Sequence, residues 1–196
     1  MKRVLVILPN GFEIFEAAAF IDVLGWADRS GSEKIEYITA GVSSSLQCTF
    51  GDYTFKPGID LRNVNVDDFD AVAIPGGFTS AGFQEEGFSE LVLQTFIDFN
   101  KRDKIIASIC VAALVLGKSG ILKNRRATTY NYQGDKVLLE KLSDMGAIVE
   151  DTPIVVDKNI ITSSSPGTAI DVAFKLLELL TSLNNANLIR GMMKFD

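Results

Sequence analysis

The stretch Ile105-Ile106-Ala107-Ser108-Ile109-Cys110-Val111-Ala112 runs from a short apolar segment straight into a helix-forming one, with a cysteine at the junction. A nucleophile carried on a sharp strand-to-helix turn needs small residues two positions away on each side, because the backbone folds back on itself there. Ser108 and Ala112 meet that need, and the stretch reads as a nucleophile elbow with Cys110 at its tip. A strand feeding a helix in this way predicts an α/β fold, whose ligands gather at the carboxyl ends of the strands. A helix beginning right after the thiol also predicts a depressed Cys110 pKa, through its free N–H groups and its dipole. A lone cysteine in an apolar stretch is equally the mark of an inert small hydrophobe, and the local motif leaves both readings open.

Outward from this point, short apolar runs alternate with longer amphipathic segments through most of the 196 residues. Strands are expected over residues 2–8, 34–41, 70–74 and 104–108, with shorter ones over 147–150, 154–157 and 160–163. Helices are expected over 13–29, 88–102, 111–119, 135–145 and 168–183, the last with Asp171, Lys175, Glu178 and Ser182 on its polar face. Residues 43–65 read as a hairpin and loop excursion. With no linker, repeat or low-complexity segment, the expectation is a single domain over 1–196, a mainly parallel sheet with helices on both faces.

Composition narrows the functions available. Hydrophobic residues make up 47% and charged residues 22%, which fits a compact core and excludes disorder. The 19 basic residues against 25 acidic ones give a net charge of −6, and no basic run offers a footprint for nucleic acid. The longest apolar runs, such as 111–116, fall far short of the roughly 18 residues needed to span a bilayer. Lys2 and Arg3 before an apolar run imitate the start of a signal peptide, but Pro9-Asn10-Gly11 cuts that run short, and a cytoplasmic protein is expected. There is no histidine, which removes the commonest general base and every Ser-His or Cys-His pair. Cys48 and Cys110 form neither a C-x-x-C pair nor a zinc site, and no carboxylate cluster has metal-binding spacing, so neither metal nor cofactor is expected.

Two further features lie after strands. At ~100° per residue, Asp22, Gly25 and Arg29 line one side of the first helix, while Glu16 projects roughly 140° away, among Phe20, Val23 and Ala27. A carboxylate on the face that packs against the sheet is neutralised, paired or functional, unless it reaches solvent or free N–H groups at the helix start. Glu13 reads instead as an ordinary first-turn acid that favours the dipole. After the strand over 70–74, Gly76-Gly77 reads either as a tight turn or as a place where N–H groups turn toward a ligand. Gly77 and Gly82 have the spacing of P-loop glycines, but Phe83 stands where the lysine belongs, and no G-x-G-x-x-G follows a strand.

Taken in order, N-G-F-E-I-F-E, A-I-P-G-G-F, A-S-I-C-V-A-A, R-A-T-T-Y and I-I-T-S-S-S-P-G-T-A resemble the ThiJ/PfpI superfamily over essentially the whole chain. The resemblance implies a flavodoxin-like three-layer sandwich, a homodimer, and an elbow cysteine paired with an acid from the first helix. By position, Cys110 is then the nucleophile, Glu16 its acid, and the N–H groups of Gly77 and Val111 the oxyanion donors, with Gly76, Tyr130, Ser165 and Pro166 lining the site. Many relatives carry a histidine after the T-T of A-T-T; here Tyr130 follows Thr128-Thr129, and a phenol is a poor base at neutral pH. That places protease, amidase and glyoxalase chemistry built on a Cys-His pair in doubt. The segments L-V-L-G-K-S-G-I-L-K-N-R-R-A-T-T and N-I-I-T-S-S-S-P-G-T-A-I-D are similar to the isonitrile hydratase branch, although Val111 and Glu16 replace its threonine and aspartate.

Three functions follow as expectations. In the first, a Cys110 thiolate attacks a small electrophile, an isonitrile or a reactive carbonyl, with a proton from Glu16 whose pKa is raised toward neutrality by desolvation. In the second, the protein is non-catalytic and redox-responsive, with Cys110 oxidised to a sulfinate held by protonated Glu16. In the third the site is vestigial. The expected partners are accordingly a small substrate or oxidant and a second copy of the chain.

Overall fold

The structure, a computed structural model, describes residues 1–132 and 136–195. Its elements run β1 (Lys2–Ile7), α1 (Ile14–Ser30), β2 (Ile35–Gly41), β3 (Leu46–Gln47), β4 (Thr54–Phe55), β5 (Ile59–Asp60) and β6 (Ala71–Ile74). They continue with α2 (Phe83–Gly87), α3 (Glu90–Lys101), β7 (Ile105–Ser108), α4 (Ala113–Lys118), β8 (Arg126–Ala127), α5 (Val137–Asp144) and β9 (Ile148–Val149). The chain closes with β10 (Ile154–Asp157), β11 (Ile160–Ser163), α6 (Ala169–Leu180) and α7 (Leu183–Met192).

Seven strands form the main sheet in the order β10-β11-β7-β6-β1-β2-β5, parallel except for the β10–β11 pair. Side chains alternate across it, as the two-residue period of a strand requires. Val4 and Val6 of β1 face the layer of α1, α6 and α7, while Leu5 and Ile7 face the layer of α3, α4 and α5. The expected α/β sandwich with a flavodoxin-like, mainly parallel sheet and helices on both faces is therefore what forms. Strand order reverses at β1, which lies between β2 and β6. A crevice opens at such a switch point, at the carboxyl ends of the strands.

Several boundaries differ from the sequence reading, each for a local reason. The helix expected over 88–102 is α3, which begins only at Glu90 after its N-cap Ser89, because a short helix that was not expected, α2, closes at Gly87 and Phe88 just before it. The one expected over 111–119 starts as a 3-10 turn at Cys110–Ala112 and is α-helical only over Ala113–Lys118. The residues expected to form a strand over 147–150 yield β9, which pairs with β8 in a separate small sheet. The helix expected over 135–145 is seen as α5; its first residue, Asp135, lies outside the described residues. The helix expected over 168–183 stops at Leu180, and α7 was not expected. Ser182 caps α7 by accepting from the Asn185 N–H, and Ala186 and Ile189 bury its inner face. Among the described residues, no helix is long and apolar enough to cross a membrane.

The expected excursion over 43–65 is the β3–β4 hairpin plus β5, and it clips onto the loop after β1. Gln47 N–H donates to Asn10 Oδ1 at 2.9 Å, Gly11 N–H to the Gln47 carbonyl at 2.8 Å, and Thr49 N–H to the Phe12 carbonyl at 2.8 Å. From the other side, Glu86 accepts from Asn10 N–H at 2.8 Å and from the Ser43 hydroxyl at 2.7 Å. The loop that leads into α1 is thereby held in place where β1 ends.

Candidate active site

β6 and β7 end level with one another, Ile74 opposite Ser108, so the turns that follow them lie side by side. Cys110 leaves β7 with a φ of 59°, in the left-handed region. For a residue with a β-carbon such a conformation costs about 1–3 kcal/mol and persists only where its surroundings over-determine it. Here Ile109 N–H donates to the Ile74 carbonyl at 3.2 Å and Ala112 N–H to the Ile109 carbonyl at 3.1 Å. The Thr129 hydroxyl, fully buried, donates to the Cys110 carbonyl at 3.0 Å. Ser108 and Ala112 are likewise fully buried, the small neighbours that the sharp turn demands. Thr129 was not singled out from the sequence, although the T-T of the A-T-T segment marked its place.

Glu16 is fully buried on the inner face of α1, with Phe20, Val23 and Ala27. Its Oε2 accepts from Gly76 N–H at 2.5 Å. A β-carbon at Gly76 would come within 2.8 Å of that oxygen and 3.0 Å of the Cys110 β-carbon, so only glycine lets the two groups converge. The carboxyl is close enough to the Cys110 thiol for a side-chain hydrogen bond. Oε1 has no conventional partner in the arrangement seen, and an orphaned buried carboxyl oxygen is best satisfied by carrying a proton itself. Burial pushes the Glu16 pKa up to about 8 against the opposing pull of the Gly76 N–H, so the carboxyl is mainly neutral at neutral pH.

The thiol does not behave as the elbow motif predicts. Burial and the neighbouring Glu16 carboxylate push the Cys110 pKa up, and the Val111 N–H, aimed at the sulfur, offsets only part of that. The expected depression by a helix start is overturned because a 3-10 turn and a six-residue helix supply little dipole, while Cys110 is buried. Thiol and carboxyl form one coupled unit that resists losing both protons.

Cys110 opens onto a pocket of about 360 Å³ whose lining includes Gly77, Val111, Tyr130 and Pro166. Phe50 and Phe78 stand at its exposed side in an edge-to-face pair, 5.3 Å between ring centres. Of the residues expected at the site, the structure thus brings Gly77, Cys110, Val111, Tyr130 and Pro166 to the pocket, with Glu16 and Gly76 beneath. Ser165 precedes the 3-10 turn at Pro166 and is not among the lining residues; its carbonyl takes the Thr168 hydroxyl. Glu13, read from the sequence as an ordinary first-turn acid, is 9% exposed and lines the pocket beside Cys110. The signal was its three-residue spacing from Glu16, which puts both acids toward one face of α1. Among the described residues, no group of acids and cysteines is placed to hold a metal ion.

The model of the DJ-1/PfpI family matches residues 2–179. Protein dj-1beta of Drosophila melanogaster is 32% identical over 179 residues, covering 91% of this chain and 89% of that protein. Its crystal structure superposes with a TM-score of 0.85 at 29% identity, over 100% of this chain and 98% of that one. The structure described as Toxoplasma gondii DJ-1, oxidized, gives a TM-score of 0.84 at 26% identity, over 100% and 99% of the two chains. A Caenorhabditis elegans protein named as a glutathione-independent glyoxalase, DJR-1.2, is 28% identical over 187 residues, 95% of this chain and 92% of its own.

Proposed function

Because the chain belongs to the DJ-1/PfpI family, we propose that its Cys110 adds to a small uncharged electrophile, an isonitrile or a reactive carbonyl, bound in the pocket above the elbow. The observation that carries this reading is the left-handed Cys110 held against a buried Glu16 and opening into a pocket. When the pair holds a single proton and that proton sits on Glu16, the sulfur is a thiolate beside an uncharged acid. Negative charge that develops on the electrophile is met by the N–H groups of Gly77 and Val111. No hydrogen bond within the chain occupies the Gly77 N–H among the described residues. The C. elegans relative named as a glyoxalase supports reactive carbonyls as a substrate class for this chain. The test is a turnover panel of isonitriles, methylglyoxal and peptide amides. The reading expects consumption of an isonitrile or a carbonyl that disappears in Cys110→Ser, and inactivity across the panel contradicts it.

The orphaned Oε1 of Glu16 supports a second reading, in which the protein reports oxidation without turnover. A protonated carboxyl beside the sulfur is suited to hold a cysteine sulfinate through a short charge-assisted hydrogen bond. Mild peroxide followed by peptide mass spectrometry then gives Cys110 sulfinate ahead of any oxidation of Cys48, with stability kept or raised. Cys48 oxidised first, or Cys110 passing to sulfonate with loss of fold, removes this reading.

A further inference from the structure

Glu13 immediately precedes α1, where an acidic side chain ordinarily bonds the free N–H groups of the first turn. It makes no such cap: among the described residues its carboxyl has no hydrogen bond and no ion pair, although the residue is nine-tenths buried. What holds it in place is its backbone, whose N–H donates to the Gly76 carbonyl at 2.8 Å and whose carbonyl accepts from Ala17 N–H at 3.1 Å. The carboxyl is left facing the pocket with Cys110 and Tyr130, and it bears electrostatically on both Glu16 and Cys110. Glu16, by contrast, is committed to the Gly76 N–H and the Cys110 thiol and is not part of the pocket wall.

From this division we infer that Glu13 is a second acid–base residue of the site, delivering a proton to the oxygen or nitrogen of the bound electrophile, a task for which the chain has no histidine. The inference rests on the function proposed above and assigns the proton that reading leaves unassigned. For a 1,2-dicarbonyl the step balances as follows. The sulfur of a thiolate paired with protonated Glu16 forms a bond to the carbonyl carbon, the C=O π pair moves to oxygen, and that oxygen takes the Glu13 proton. The products are a neutral hemithioacetal and a Glu13 carboxylate, which regains its proton from water through the pocket mouth. Burial raises the Glu13 pKa, which favours the protonated acid that the step consumes.

The test compares two probes of the same sulfur in the full chain. Methylglyoxal addition requires a proton delivered to oxygen, whereas iodoacetamide alkylation expels iodide and requires none. Glu13→Gln, nearly identical in shape, is expected to slow methylglyoxal addition to Cys110 by about 10²-fold. Alkylation by iodoacetamide should stay within about threefold, since it takes no proton from Glu13, and Glu13→Asp should recover part of the lost addition rate. Unchanged methylglyoxal addition in Glu13→Gln, or equal slowing of both probes, overturns the inference while leaving the reaction of Cys110 standing. A parent chain that takes iodoacetamide at Cys110 but never methylglyoxal overturns both the inference and the carbonyl reading beneath it.

Discussion

Cys48 and Cys110 are almost equally buried, 5% and 6% exposed, and neither is in a disulfide. Burial pushes both thiols up. Cys48 follows β3, its N–H bonded to the Tyr53 carbonyl at 3.3 Å and its backbone bridged to Phe12, with burial the sole cause of its shift. Cys110 has a left-handed backbone, an N–H aimed at its sulfur, a buried acid beside it and an open pocket before it. A low thiol pKa is therefore not what separates the two sites. What separates them is a partner that can carry the proton and a space in which an electrophile can sit.

The largest effect expected is loss of function at one cysteine only. Cys110→Ser should abolish any electrophile consumption, while Cys48→Ser should leave it within about twofold, since Cys48 contributes packing alone. Steady-state rates of the two variants check this, and equal losses would erase the contrast between the sites.

Next in size is the pH dependence of stability. Glu16 has its folded pKa raised from 4.5 to about 8, so the folded state holds a proton that the unfolded chain has released. The stabilisation is complete below pH 4.5 and is lost as pH climbs through about 8. At about 1.4 kcal/mol per pH unit, up to ~5 kcal/mol is at stake. Glu16→Gln keeps the shape without the charge, and its melting temperature should fall less than the parent's between pH 5 and 8.5. Cys48→Ser leaves the parent's slope unchanged. Parallel melting curves for parent and Glu16→Gln would show that the acid is not held neutral by the fold.

The smallest effect concerns the support of the elbow. Thr129→Val removes one of the donors to the Cys110 carbonyl, which also accepts from Ala113 N–H, so about 1 kcal/mol of stability should be lost. Denaturant unfolding measures the loss, and the reaction rate at Cys110 should fall with it. A variant as stable and as fast as the parent would show that the strained turn does not depend on this bond.

The contrast between the cysteines was partly legible in the sequence. Val4 to Leu8, Ala71 to Ile74 and Ile105 to Ile106 are unbroken apolar runs, which only strands buried on both faces require, and they fixed the sheet and the level at which the turns emerge. Helical periodicity singled out Glu16, because it falls on the face that carries Phe20, Val23 and Ala27; that it turns inward rather than reaching solvent at the helix start is seen only in the structure. Glu13 was missed for the opposite reason: the pocket that receives it is assembled from Gly77, Phe78, Cys110 and Tyr130, which come together only through the sheet. The sign of the Cys110 shift was missed because desolvation by tertiary packing outweighs what a local motif contributes. α7 escaped notice because three asparagines dilute its pattern, and its cap, Ser182, lies at the end of the preceding apolar run.

Chemistry belongs to Cys110 because of its partner and its pocket, not because it is exposed. Sub-stoichiometric iodoacetamide on the native parent, with both cysteine peptides quantified from pH 6 to 10, tests it directly. Cys110 should be labelled well ahead of Cys48 at every pH, with a rate that climbs as the pH passes about 8, where the coupled Cys110–Glu16 pair gives up the first of its two protons. Equal labelling of the two cysteines, or labelling of Cys110 only after denaturation, would contradict it.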